Sequence, residues 1–167
     1  FMRFAGNNTS VRLYVIFQSE ELIEKIKLLL IQPKVSEQIV LVGKVLHDEL
    51  LYWFNSADFI ISTTHYEGMG VAVCEGMSCG CIPILTNIPS FRKMTGNGEC
   101  GLLFKAGDAS DLVVTLEKSL LLDLENQKNK TIGMYKKLLS AEAISSKIVS
   151  VCRQLISSTA GPTTGTN

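Results

Sequence analysis

Short continuous apolar segments alternate with helical ones along most of this chain, and that alternation limits the fold more than any other feature. The segments are VRLYVIF (11–17), QIVLVG (38–43), DFIIST (58–63), CIPILT (81–86) and GLLF (101–104). They are apolar throughout, not at every second residue. A strand of that kind is covered on both faces, as in a parallel sheet between helix layers. Between the first two, Ser19 is placed as an N-cap with Glu20 and Glu21 in the first turn, before LIEKIKLLLI and a stop at Pro33. HDELLYWFNSA (47–57) is a second helix. After Asp108, which with Asp111 suggests a capping arrangement, the chain turns helical over 109–122, 124–138 and 141–156. Strands separated by helices are βαβ units, so the expectation is an α/β, Rossmann-like parallel sheet with helices on both faces. Residues 1–156 form one domain, and the uncharged SSTAGPTTGTN (157–167) is a flexible tail.

Charge and cysteine usage remove several function classes. Lys+Arg and Asp+Glu number 16 each, so no overall field draws the chain to nucleic acid. Neither C-x-x-C spacing nor a histidine beside the five cysteines builds a metal site, and no metal is expected. No apolar run approaches the ~18 residues of a membrane span. FMRFAGNNTSVR has no signal-peptide pattern. A cytoplasmic protein with reduced thiols is the expectation.

In sheets of this class ligands bind beyond the carboxyl ends of the strands. HYEGMGVAVCEGMSCG follows the third strand directly. Gly68 and Gly70 allow a sharp turn and close backbone approach, and the helix they open presents the unpaired amides of Met69, Gly70 and Val71 to an anion. Glu67 lies at that helix mouth, as an acceptor for ligand hydroxyls and not as the bound anion. Glu75 follows about two turns, ~12 Å, along the axis, with a side chain able to lean back to the same cleft. Two acceptors around an anion site suit a nucleotide sugar, which carries hydroxyls at both ends and a diphosphate between. The spacing alone is equally that of two solvated glutamates.

The surrounding residues are more specific. EGMGVAVCEGMSCGCIPILT resembles the E-G-F-G-x-x-x-x-E-A-M-A-x-G-x-P-V-I signature of family 4 (group 1) retaining glycosyltransferases of the GT-B fold, with Glu67, Gly68, Gly70, Glu75, Met77, Gly80 and Pro83 in register. LLYWFNSADFIIST, with Ala57 and Asp58, and GECGLLFKAGDASDLVVTLEKSL are similar to the flanking family segments. The resemblance runs over residues 13–122. It implies the C-terminal, donor-binding half of such an enzyme, which needs no cofactor and takes a nucleotide-diphosphate sugar as substrate. Glu67 would contact donor-sugar hydroxyls at the catalytic centre, with Gly68 and Val71 beside it. Met69 and Gly70 would offer amides at the sugar–diphosphate junction, and Glu75 would hold the ribose hydroxyls. Val45 and Leu46, in KVLH, would lie against the nucleobase. Gly80 and Pro83 end the helix and begin the next strand.

The departures carry expectations too. Met69 replaces a phenylalanine and Gly76 an alanine, the latter implying close packing. IPSFRK lacks the family's glutamate, and Ser90, Arg92 and Lys93 are placed in a solvated loop. His65 is a hydrogen-bonded loop residue or, alternatively, an acid–base group. The family's first strand and helix, with an arginine and a lysine for the diphosphate, have no counterpart, Arg3 being a poor substitute. The resemblance therefore implies an N-terminally truncated domain, inactive alone. The parent would transfer sugar to a glycan or lipid-linked acceptor, with peripheral membrane association at most. The alternative is a nucleotide-sugar-binding module that acts with a separate acceptor-domain chain.

Overall fold

The computed structural model describes residues 1–17, 23–30 and 36–159. All five expected strands form: β1 (Leu13–Ile16), β2 (Ile39–Gly43), β3 (Phe59–Ser62), β4 (Ile82–Thr86) and β5 (Leu102–Phe104). Every pairing is parallel. The expected parallel α/β architecture is present, with its strands divided between two sheets. β1 pairs with β2, and β3, β4 and β5 form a separate sheet with β4 in the centre. Among the described residues no ladder joins the two.

Helices cover both faces of the larger sheet, which is why its strands are apolar throughout. α4 (Val71–Ser78) and α7 (Leu124–Leu138) lie on one side. Val73, Met77 and Met134 from these helices enclose Leu85 of β4. On the other side Phe4 of α1 (Met2–Ala5) and Leu116 of α6 (Ala109–Ser119) enclose Ile84 and Phe104. Each of the five β4 residues is buried. Pro83 fits mid-strand because Gly101 leaves room. A Cβ on Gly101 would fall on the Pro83 carbonyl oxygen and within 2.6 Å of its Cγ, and Gly101 has φ +74°. Gly76 is explained in the same way, since a Cβ there would lie 2.8 Å from Ile60 Cδ1. An alanine there would require Ile60 of β3 to shift, so α4 and β3 pack closely at this point.

The helix ends follow local chemistry. Asp108 Oδ1 accepts from the amides of Ser110 (3.1 Å) and Asp111 (3.0 Å), capping α6 as expected. Asp111 Oδ2 in turn accepts from Lys105 N–H at 2.7 Å. α4 closes with Gly80 N–H donating to the Met77 carbonyl and Cys81 N–H to that of Gly76, the paired bonds of a Schellman motif. α2 (Ile23–Leu29) lies in the expected helical stretch, but Ser19, Glu20, Glu21 and Pro33 fall outside the described residues. α3 (His47–Ser56) meets β1 through the rings of Trp53 and Tyr14, 5.4 Å apart.

Two helices were not expected. α1 is the first. The second is α5 (Pro89–Met94), which replaces the solvated loop assigned to IPSFRK. Its Phe91 is fully buried and Met94 nearly so, while Arg92 Nη1 donates to Asn87 Oδ1 at 2.9 Å. Pro89 at the first helical position and apolar residues at 88, 91 and 94 are the signals that mark it. The last helix, α8 (Ala141–Thr159), packs against α7 and continues three residues into the expected tail. Residues 160–167 lie outside the described part. No described helix is long and apolar enough to cross a membrane.

Candidate functional site

The loop after β3 is held from below. Thr86 Oγ1 donates to the Thr64 carbonyl at 2.6 Å, and Thr64 Oγ1 donates to that of Tyr66 at 2.7 Å. Gly70, the residue before α4, is left-handed (φ 62°, ψ 54°). A Cβ on it would lie 3.1 Å from Phe91 Cε1, so α5 presses directly under the turn. Gly68 differs: a Cβ there would meet nothing within 4 Å, and its φ is not positive. One glycine is required by the fold, and the other faces open space.

The first intrahelical bond of α4 runs from Cys74 N–H to the Gly70 carbonyl, 2.9 Å. The amides of Val71, Ala72 and Val73 therefore precede the helical ladder. The expected set of Met69, Gly70 and Val71 is corrected in part, because Met69 N–H donates to Glu67 Oε1 at 3.2 Å. In this structure Glu67 takes up one helix-mouth amide itself, the place sequence reasoning reserved for a ligand anion. A carboxylate two residues ahead of an amide in a turn can close on it locally.

Glu67 is exposed with Tyr66, Met69 and Val71, whereas the Glu75 side chain is 33% exposed. Burial first, and then the carboxylates of Glu75 and Glu67, push the Cys74 thiol up. Cys74 thus sits in the field of both glutamates, Glu67 ahead of α4 and Glu75 in its second turn. Glu75 Oε1 also lies 3.8 Å from Nε2 of His47, the first residue of α3. That approach brings the loop holding Val45, half-buried, and Leu46, 71% exposed, beside the second turn of α4. The loop is fixed by Leu46 N–H donating to Glu49 Oε2 at 2.8 Å. On the α7 side of α4, a groove of about 190 Å³ is lined by Met69, Val71, Glu75, Tyr135 and Leu139 among others.

His65 is exposed, and its ring packs on Gly107. A Cβ on that glycine would lie 3.2 Å from His65 Cε1, and no hydrogen bond to the ring is seen among the described residues. His47 is the residue sequence reasoning overlooked. It stood inside the KVLH segment, but its partner is far along the chain and only the packing of α3 on α4 joins them. No described group of three or more His, Cys, Asp or Glu side chains could hold a metal ion.

The family described as "Glycosyl transferases group 1" matches residues 3–137. The chain belongs to the group 1 glycosyltransferases. D-inositol 3-phosphate glycosyltransferase of Paenarthrobacter aurescens is 30% identical over 73 residues, 44% of this glycosyltransferase chain and 18% of that protein. Among solved structures, sucrose-phosphate synthase from Thermosynechococcus elongatus matches with TM-score 0.76 and 20% identity, over 94% of this chain and 41% of that one. The pneumococcal O-GlcNAc transferase GtfA, solved with UDP and GlcNAc, matches with TM-score 0.70 and 13% identity, over 92% and 31%. The shared fold is GT-B, and the chain spans less than half the length of each of these proteins.

Proposed function

We propose that this chain binds the nucleotide-sugar donor of a retaining glycosyltransferase. The parent enzyme would pass the sugar to a glycan or lipid-linked acceptor in the cytoplasm, without a metal. The observation that carries this reading is the end of α4, where free amides lie between two glutamates. The Val71 and Ala72 amides, with the helix dipole, stabilise the diphosphate as it becomes the leaving group. Glu75 accepts from two ribose hydroxyls, and exposed Leu46 and half-buried Val45 give the base an apolar surface. Glu67 exchanges its internal bond to Met69 for hydroxyls of the donor sugar, which frees the Met69 amide for the phosphate. Family membership and a GT-B relative solved with UDP support the donor class.

Calorimetry with UDP, GDP, ADP and their sugar conjugates tests the reading. Weak binding that disappears in Glu75→Ala is the expected result. A folded wild type that takes up none of them sinks the donor-site assignment.

A second reading, a module working with a separate chain, is favoured by two features. The sheet is divided between β2 and β3, and a further strand could make it continuous. On α8 the apolar side chains of Ile144, Ile148, Val151 and Leu155 recur at helical spacing, between 37% and 61% exposed. Gel filtration separates the readings. A stable complex with a chain carrying the acceptor domain supports the module, and a monomer that ignores such a chain rejects it.

A further inference from the structure

Resting on the donor-site reading, we infer that His47 is a second nucleoside-contacting residue, which with Glu75 brackets one ribose hydroxyl. The two groups come from different helices and meet at 3.8 Å, Nε2 to Oε1. That is too long for a hydrogen bond, so neither group satisfies the other. The opening admits one hydroxyl oxygen at about 2.8 Å from each. A carboxylate only accepts, and a neutral imidazole carrying its proton on Nε2 donates. A hydroxyl in this place donates a hydrogen bond to Glu75 and accepts one from His47. An ether or carbonyl oxygen there would meet the carboxylate with no proton to offer, so the pair selects an alcohol.

The surroundings leave His47 available for this role. Its side chain is 78% exposed, and Glu75 is the only carboxylate within 4.0 Å of its ring nitrogens among the described residues. Glu49, on the same helix, is engaged with the Leu46 amide. Leu46 projects beside it as the exposed apolar ledge. Base on Leu46 and sugar hydroxyl between His47 and Glu75 makes a ribonucleoside subsite from two adjoining residues at the start of α3 and one residue of α4.

The test compares binding of UDP, GDP and ADP with their 2′-deoxy and 3′-deoxy counterparts, by wild type, His47→Ala and His47→Gln. His47→Ala is expected to weaken the preferred ribonucleotide about three- to tenfold, the effect of one hydrogen bond. The deoxy ligand that lacks the bracketed hydroxyl should bind as before, so the ribo-to-deoxy preference shrinks. His47→Gln, which keeps a donor, restores part of it. Equal losses on ribo and deoxy ligands would show a structural effect and overturn the inference. So would an unchanged preference in His47→Ala, which leaves the donor site itself standing. A wild type that binds no nucleotide overturns both.

Discussion

Replacing Gly70 by alanine should destabilise the protein by about 2 kcal/mol. An alanine held in the left-handed region costs roughly 1–2 kcal/mol. Its methyl group would sit 3.1 Å from Phe91 Cε1 and 3.6 Å from Met94 Cε. Both side chains are at least 95% buried and have little room to retreat, which adds about 1 kcal/mol of overpacking. Loss of chain freedom in the unfolded state returns roughly 0.4–1 kcal/mol. For a chain of this size the net amounts to a melting point about 4–8 °C lower. Gly68→Ala is the matched control, because its methyl meets nothing. It should melt at or slightly above wild type yet bind a nucleotide sugar more weakly, where ligand approaches the backbone. Urea midpoints with unchanged slope, together with thermal melts, read the stability terms. A Gly70→Ala variant as stable as wild type, or a Gly68→Ala variant equally damaged, would refute the assignment of different roles to the two glycines.

Gly101→Ala should be worse than Gly70→Ala, because its methyl would meet backbone of the central strand; loss of most soluble folded protein is expected, and a cooperative melt near the wild-type temperature would contradict the packing described. Backbone hydrogen bonds from Asp111 and Ser110 hold the Asp108 carboxyl below the usual range. Its contribution is therefore present above the ordinary carboxylate pKa, roughly 4, and is lost as pH falls through the lower folded value. An acid titration followed by circular dichroism should show a shallower transition in Asp108→Asn, whose amide oxygen still caps α6, and identical curves would count against the cap. Burial pushes the Cys81 and Cys100 thiols up to about 11. Iodoacetamide at pH 8 followed by peptide mass mapping should modify exposed Cys152 first and these two last; early labelling of Cys100 would disprove its placement in the core.

The strands were legible as short continuous apolar runs, although only β4 is buried along its whole length and β1 and β2 are partly exposed. The α6 cap was legible because Asp108 and its receiving amides are close in sequence. α5 escaped because its six residues carry only a proline and two apolar positions, with Ile88 just ahead of them, too little periodicity to set against neighbouring Ser, Arg and Lys. Glu67 ahead of the helix and Glu75 within it could be proposed from spacing, because the glycine turn and the helical run between them are local features. The bond from Met69 to Glu67 could not, because it depends on how the turn closes over Phe91. The approach of His47 to Glu75 is a contact between helices, and nothing local in either segment encodes it.

The divided sheet bears on how the molecule opens. β1 and β2 contain no fully buried residue, whereas β4 is buried along its whole length. The smaller sheet is tied down by side chains: Gln38 Nε2 donates to the Asn8 carbonyl at 2.7 Å, and Tyr14 leans on Trp53. Its amides should therefore exchange with deuterium through a local opening of low free energy, while those of β3, β4 and β5 wait for global unfolding. The loop that carries Leu46 and His47 is anchored at one end in that weaker half. A nucleoside bound there would slow exchange in β2, far from the phosphate end, and so report its arrival as protection in the least stable part of the chain.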